Sequence, residues 1–246
     1  MREHREKETT MRRATLLLLA TITAVLLATG VALAATLVGT DGNDLINGTS
    51  GSDTLNVAKN GTKGTAGADA LYGKGGNDIL YGGSGDDNWT TTLGYDTDGN
   101  KIPAGLNGGA GDDKAYGGAG DDKMMGNAGN DTIDDSSPYS TTSPGDWDLA
   151  YGGSGNDTAN LVDGDVRDEA VCGEETTTDP AAPADTDTAK IDVIRDGSGQ
   201  ITDADKVYDC ETIRNQKGNV VAQSNLPQYQ QAAAAGQSVT APSEPT

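Results

Sequence analysis

Aspartate recurs at one fixed place in a nine-residue phrase that is repeated through the middle of the chain. The phrase is clearest as GGSGDDNWT from Gly82, GGAGDDKAY from Gly108 and GGAGDDKMM from Gly117. Carboxylates and the carbonyls of tight turns are hard oxygen ligands, and Ca²⁺ takes about six to eight of them in a flexible geometry. The pattern therefore predicts repeated calcium sites. Nine units have glycine at positions 1 and 4 and a candidate metal-ligating aspartate at position 6, namely Asp44, Asp53, Asp69, Asp78, Asp87, Asp113, Asp122, Asp131 and Asp157.

Three further positions describe the backbone that must hold these aspartates. Position 4 is always glycine, whereas position 2 varies and includes Thr40, Lys74 and Asn127. Because glycine adopts positive φ without strain, we expect the tight point of the turn at position 4 and fewer constraints at position 2. Position 8 is apolar in every unit, and in a short strand it would point inward while its neighbours point outward. These apolar residues are Ile46, Leu55, Leu71, Leu80, Trp89, Ala115, Met124, Ile133 and Ala159.

The phrase predicts a flattened helix of parallel strands. Six residues form a turn, three form a strand, two units complete one coil, and coils stack at the strand spacing. Aspartates eighteen residues apart then fall into one oxygen shell, as with Asp69 and Asp87, or Asp113 and Asp131. Two other interpretations remain: the aspartates only cap their own turns, or the segment is a flexible acidic linker when calcium is absent.

Composition excludes an ordinary globular core. The 246 residues include 35 glycines and no phenylalanine, and only 4% are aromatic, so a bound cation is the available source of order. The net charge is −21, and without residues 1–34, which hold five of the 17 basic and three of the 38 acidic residues, it is −23. Solvation of an acidic surface is the alternative explanation of this charge. Since phosphate backbones demand clustered lysine and arginine, we expect no nucleic-acid partner.

The amino terminus has the features of an export signal. Two arginines precede an apolar run from Ala14 to about Thr29, and an A-x-A-like sequence ends at Ala34, as in secretory signal peptides. We predict a signal peptide over residues 1–34, a secreted protein, and no stable membrane insertion after cleavage. An uncleaved anchor is the alternative, since about twenty apolar residues can span a bilayer. Met1 and Met11 are both candidate starts.

The array is interrupted at 57–63, 91–107 and 135–142. We interpret the two longer interruptions as eroded coils that continue the stack, with loops bulging out. An eroded unit, Ser143 to Tyr151, still has Asp148 at position 6.

After residue 160 the pattern changes. Residues 161–214 alternate like strands and contain both cysteines, so we predict a C-terminal cap over this range. In an exported chain Cys172 and Cys210 most simply form one disulfide, with two free thiols or an intermolecular bridge as alternatives. Residues 215–246, rich in Gln, Ala, Ser and Pro, are predicted to be a disordered tail.

The nonapeptides resemble the hemolysin-type calcium-binding (RTX) repeat family over about Gly39 to Asn160. The resemblance implies an all-β fold, a parallel β-roll over 39–160, which is disordered until calcium arrives. It also implies that several Ca²⁺ ions bind through turn carbonyls and the nine position-6 aspartates named above. Many members join the repeats to a catalytic domain and a carboxyl-terminal secretion signal. This chain differs, because its repeats begin directly after the predicted signal peptide.

The residues argue against an enzyme. The only histidine is His4, in the predicted signal peptide, which excludes His-ligated metalloprotease sites and His-based triads from the mature chain. A carboxylate-pair glycosidase needs an apolar cleft that keeps one carboxyl protonated, and apolar material is scarce here. The expected function is a calcium-loaded structural or interaction module outside the cell. The alternative is an adhesin whose inserted loops bind carbohydrate or protein, with Trp89 and Trp147 as stacking platforms.

Overall fold

The computed structural model describes residues 33–40, 42–56, 67–88, 92–95, 101–135, 146–173 and 186–226. The chain divides into two units, Met1–Leu33 and Ala34–Thr246, and every element below belongs to the second unit. The predicted signal peptide lies outside the described residues except for its last two positions. Within the described part of the chain, no helix has the length and apolar character that crossing a membrane requires.

Short β-strands make up almost all of the regular secondary structure in the described residues. In chain order they are β1 (Thr36–Val38), β2 (Leu45–Asn47), β3 (Thr54–Asn56), β4 (Ala70–Gly75), β5 (Ile79–Ser84), β6 (Thr92–Tyr95), β7 (Lys101–Pro103), β8 (Gly105–Ala110), β9 (Lys114–Ala119), β10 (Lys123–Ala128), β11 (Thr132–Asp134), β12 (Leu149–Ser154), β13 (Thr158–Asn160), β14 (Glu169–Val171), β15 (Thr188–Ile191), β16 (Val193–Arg195), β17 (Ile201–Ala204), β18 (Lys206–Tyr208) and β19 (Thr212–Asn215). A single 3-10 turn at Gln223–Asn225 is the helical element of these residues.

The chain alternates between two parallel sheets. The first sheet has eight strands in the order β1-β3-β5-β9-β11-β13-β15-β19, and the second has seven in the order β2-β4-β8-β10-β12-β14-β18. Each strand pairs with the equivalent strand of the next coil, so that Leu80 lies opposite Ala115 and Leu71 opposite Leu106. The predicted all-β, parallel β-roll is confirmed.

Position 8 builds the core between the sheets. Leu55, Leu71, Leu80 and Met124 are fully buried, and every described position-8 residue belongs to one apolar cluster. Alternation along each strand turns the flanking residues outward. The inward orientation predicted for position 8 is confirmed for these residues, whereas Trp89 lies outside the described part of the chain.

The strands that enter glycine-rich turns are longer than predicted. Strands β4, β5, β8, β9, β10 and β12 each have six residues. Pairing continues into the turn because its first residues keep the register, with Gly83 opposite Gly118 and Ser84 opposite Ala119. In these six turns the coils are therefore joined through the first half of the turn as well as through the strands.

The first long interruption is an insertion, not an eroded coil. Residues 88–104, which include the antiparallel hairpin β6–β7, separate Asp87 from β8. Gly105 and Leu106 then take positions 7 and 8, opposite Ala70 and Leu71. The prediction of an eroded coil over 91–107 is wrong, because the single strand β8 fills this place in the stack.

The second long interruption, 135–142, leads into one unit of the stack. Strand β12 follows it and pairs with β10, with Met124 opposite Ala150. Asp148 precedes β12 as Asp122 precedes β10. Asp148 therefore occupies position 6, as predicted for the eroded unit.

Residues 161–214, predicted as a cap, extend both sheets. Strands β14 and β18 continue the second sheet and β15 and β19 continue the first, so this segment provides the last described coils. Cys172 and Cys210 form the disulfide, as predicted.

Two residues of the predicted tail pack against the main core. Val221 and Leu226 are buried there, whereas the boundary of the tail stays a prediction. Residues 227–246 lie outside the described part of the chain.

Candidate metal sites

The position-6 aspartates form two ladders, one along each edge of the sheets. Turns from the first sheet to the second carry the first ladder, made of Asp44, Asp69, Asp87, Asp122, Asp148, Asp168 and Asp205. Turns leading back carry the second ladder, made of Asp53, Asp78, Asp113, Asp131, Asp157, Asp187 and Glu211. All nine predicted aspartates are members.

One carboxylate oxygen of each ladder residue after Asp44 accepts a bond from the preceding coil. The backbone N–H of Asp69 donates to Asp87 Oδ1 at 2.6 Å, and that of Asp113 donates to Asp131 Oδ1 at 2.7 Å. The predicted partners are therefore direct neighbours in space. That each pair shares an ion stays a prediction.

The second carboxylate oxygen lacks a donor in six of the predicted residues. Their Oδ2 atoms are shielded from solvent and make no hydrogen bond. A buried carboxylate oxygen without a partner is costly unless a cation or a donor compensates it. These orphaned oxygens, which belong to Asp69, Asp78, Asp87, Asp113, Asp122 and Asp131, fit a cation held between turns.

Glycine at position 1 leaves open the space that these oxygens line. A Cβ added to Gly73 would contact both Asp78 Oδ2 and the carbonyl oxygen of Gly108 in the next coil. The equivalent carboxylate and carbonyl oxygens surround Gly82 and Gly126. Carboxylate and carbonyl oxygens from two coils thus converge beside position 1, and this is the donor set that Ca²⁺ prefers.

Positions 2 and 4 both require positive φ in the regular turns. At position 4, Gly111 has φ 127° and Gly129 has φ 136°, and a Cβ on either would clash with the carbonyl oxygen of the position-4 glycine in the preceding coil. At position 2, Lys74 has φ 80° and Asn127 has φ 81°. The expectation that position 2 is less constrained is therefore wrong for the backbone, although its side chain is free to vary.

In the first two turns, threonine at position 2 binds the carboxylate at position 6. The backbone N–H of Thr40 donates to Asp44 Oδ2 at 2.6 Å, and that of Thr49 donates to Asp53 Oδ2 at 2.5 Å. The threonine hydroxyls donate to the same carboxylates. Asp44 and Asp53 cap their own turns, as the alternative interpretation proposed for all nine.

Position 5 supports a further ladder that sequence reasoning missed. The Asn77 side-chain oxygen accepts from the N–H of Asp112 at 3.1 Å, and Asp112 Oδ1 accepts from the N–H of Asn130 at 2.8 Å. Asn130 and Asn156 continue the series. The signal was present, because position 5 is Asn, Asp or Ser in all but one of the nine units.

Sequence reasoning also missed the later ladder residues, which follow no glycine-rich turn. Each precedes a strand in the triplet acid–any residue–apolar residue, the order of positions 6 to 8 in the repeat. This triplet would have identified Asp168, Asp187, Asp205 and Glu211.

Burial raises the pKa of three ladder carboxyls in the regular turns, those of Asp69, Asp113 and Asp131. The pKa of Asp69 rises to about 6, that of Asp113 to about 6 and that of Asp131 to about 7. Desolvation is the main cause in each case, partly offset by the N–H bond from the preceding coil and increased by neighbouring carboxylates such as Asp44 and Asp78. Near neutral pH, protons and cations therefore compete for these oxygens.

Trp147, a candidate stacking residue, lies on the outer face of the second sheet. Its backbone N–H donates to Asp121 Oδ1 at 2.8 Å. Its side chain is partly buried against a second apolar cluster, together with Met125 and Tyr208.

Comparison with known families agrees with this geometry. The family model for the RTX calcium-binding nonapeptide repeat (4 copies) matches residues 29–58, 63–98 and 106–133. No curated protein matches the chain. The predicted resemblance is confirmed: the glycine-rich turns are repeats of the calcium-binding RTX type, and their number provides for several Ca²⁺ ions.

Proposed function

We propose, since this chain carries RTX calcium-binding nonapeptide repeats, that it is an exported protein whose parallel sheets become ordered when calcium fills the turns. Outside the cell it serves as a structural or interaction module without catalytic activity. The observation that carries the proposal is the set of orphaned, buried Oδ2 atoms along both edges of the sheets.

Electrostatics makes the coupling between ion and fold strong. The chain has a net charge of −21, and each strand of the repeats contributes only one residue to the apolar core. Bound calcium supplies the positive charge that lets these carboxylates stay ionised inside the turns. Without it, like charges stacked in two ladders oppose the compact state.

Export agrees with the chemistry of the turns. The basic and apolar residues up to Ala34 have the order of a signal peptide. Extracellular calcium is abundant enough to fill weak sites with dissociation constants of about 10⁻⁴ to 10⁻³ M.

Circular dichroism tests the proposal directly. In EDTA we expect a spectrum with little β structure, and in millimolar CaCl₂ a β-rich one, because ion binding and strand pairing occur together. Identical spectra in the two conditions would contradict the proposal. MgCl₂ at the same ionic strength is the control, since Mg²⁺ demands a rigid octahedral shell.

A second function, binding of extracellular carbohydrate or protein, is favoured by the outer face of the second sheet. Met125, Trp147 and Tyr208 are only partly buried there, and aromatic rings at such positions suit stacking on sugars or protein side chains. Capture of a ligand by the calcium-loaded protein, abolished by Trp147→Ala with unchanged circular dichroism, would establish this function. Equal capture by both proteins would refute it.

A further inference from the structure

The loop between β13 and β14 differs from the repeat turns. Residues 161–168, with the sequence LVDGDVRD, lead from the first sheet to the second but lack the glycine pattern. The loop nevertheless places Asp168 in the first ladder, where its Oδ1 accepts from the N–H of Asp148 at 2.9 Å. It lies beyond the residues that the repeat family matches.

Three carboxylates of this loop converge. Ligand oxygens of Asp163, Asp165 and Asp168 all lie within 4.8 Å of one another. The N–H of Asp165 donates to Asp163 Oδ1 at 3.0 Å, and the N–H of Arg167 donates to Asp165 Oδ1 at 2.8 Å. These bonds fix the orientation of the carboxylates.

Asp168 provides an independent sign of a missing partner. Its side chain is 0% exposed, and its Oδ2 makes no hydrogen bond. Burial, together with the charges of Asp205, Asp163 and Asp135, raises the pKa of Asp168 to about 9. An acid that is fully enclosed among other acids requires a neutralising group.

A fourth acid on the neighbouring turn has the same deficit. Asp135 is 2% exposed, and its Oδ2 also lacks a hydrogen-bond partner. Burial raises its pKa to about 7, and Asp163 is the foremost of the charges that add to this effect. Asp135 and Asp168, on two different turns, are thus each influenced by the charge of Asp163.

We propose that Asp163, Asp165 and Asp168, with Asp135 from the adjacent turn, form a further calcium site of a carboxylate type distinct from the repeat turns. The inference rests on the proposed function, because it assumes that the folded chain meets calcium. Hard carboxylate oxygens in an irregular loop suit Ca²⁺ better than Mg²⁺. The site would neutralise the coils that follow the last glycine-rich turn.

The test compares calcium bound per full-length chain, measured by equilibrium dialysis against saturating CaCl₂ followed by metal analysis. The Asp163→Asn/Asp165→Asn double variant should bind one ion fewer, with an unchanged circular dichroism spectrum. Asparagine keeps the oxygen that accepts the loop N–H bonds, so the substitution removes charge and preserves the loop. The Asp196→Asn variant is the matched control, because Asp196 accepts similar bonds in an exposed turn of the β16–β17 hairpin. This variant should bind as many calcium ions as the native chain.

The outcomes separate the two proposals. An unchanged ion count in the double variant, or an equal loss in Asp196→Asn, would overturn this site alone. A native chain that binds no calcium would overturn the proposed function as well. If the double variant loses β structure, Asp168→Asn provides the second measurement, since its amide oxygen still accepts from Asp148, and it too should lose one ion.

Discussion

Gly111 and Gly42 occupy the same position of the repeat, yet their surroundings differ. Gly111 has φ 127°, and a Cβ there would meet the carbonyl of Gly76, whereas a Cβ on Gly42 would meet nothing within 4 Å. We expect Gly111→Ala to destabilise the calcium-loaded fold by about 1–3 kcal/mol, the usual cost of an L-residue held in such a conformation. Urea denaturation in saturating CaCl₂ measures this. Gly42→Ala is the control, and equal losses from both would show that the turns are not close-packed.

Asp113 and Asp131 should act on the same ion. Each lies next to the other in the second ladder, with an orphaned Oδ2, so Asp113→Asn and Asp131→Asn should each weaken one shared site by about tenfold or more. Isothermal titration calorimetry should show weaker calcium binding in the same class of high-affinity sites in both variants. A shared site would be contradicted if the Asp113→Asn/Asp131→Asn double variant lost two separate classes of calcium site, one for each substitution. Asp196→Asn is the control for the loss of one negative charge.

At the scale of single residues, the sequence predicted most of the ladder aspartates and the core side chains of the repeats. The period identified nine of the thirteen ladder aspartates and the inward side chains, because each repeats with one spacing. It did not predict that Asp44 and Asp53 are capped by threonine. That difference depends on the hydroxyls of Thr40 and Thr49 and on their backbone N–H groups, whose distance to the carboxylates no spacing reveals.

Among the elements, the hairpin β6–β7 is a separable insertion. Asp87 and Gly105 stand in consecutive places of the stack: the N–H of Asp69 donates to Asp87 Oδ1, and the N–H of Gly105 donates to the carbonyl of Asp69. Deleting residues 88–104, which joins Asp87 directly to Gly105, should therefore preserve the calcium-induced circular dichroism change. Loss of that change would show that the inserted segment is needed for the stack. A deletion of equal length, residues 107–123, removes β9 and is expected to abolish it.

The elements were predictable where the period held and not where it failed. The nine-residue period predicts an eroded coil between Gly82 and Gly108. Strand pairing depends instead on backbone register and side-chain volume, and it places Leu106 beside Leu71. Strands β14, β15, β18 and β19 lack the glycine signal altogether. They join the sheets because an acid and an inward apolar residue still occur at the right places.

For the whole folded unit, low pH should stabilise the calcium-free fold, because protons then neutralise the buried carboxyls. The folded pKa values of Asp69, Asp113 and Asp131 lie at about 6 to 7, above the ordinary value of 3.8. The folded state therefore binds protons more tightly than the unfolded state, and the stability of the calcium-free chain falls as pH rises through this range. In EDTA we expect more β structure at pH 5 than at pH 8, measured by circular dichroism. The reverse order would contradict the burial of these carboxyls, and the calcium-saturated protein at both pH values is the control.

Bonds of the position-5 ladder run from an N–H in a later coil to a side chain in an earlier one. Every bond of the two position-6 ladders runs the other way, from an N–H in an earlier coil to a carboxylate in a later one. Each coil thus needs its successor as a template, while the successor needs nothing from it through these bonds. Ordering would accordingly propagate from the carboxyl end toward the amino end, beginning at the two neighbouring coils that the Cys172–Cys210 disulfide joins. Truncation from the amino end would shorten the stack, whereas truncation before β18 would remove the seed from which it grows.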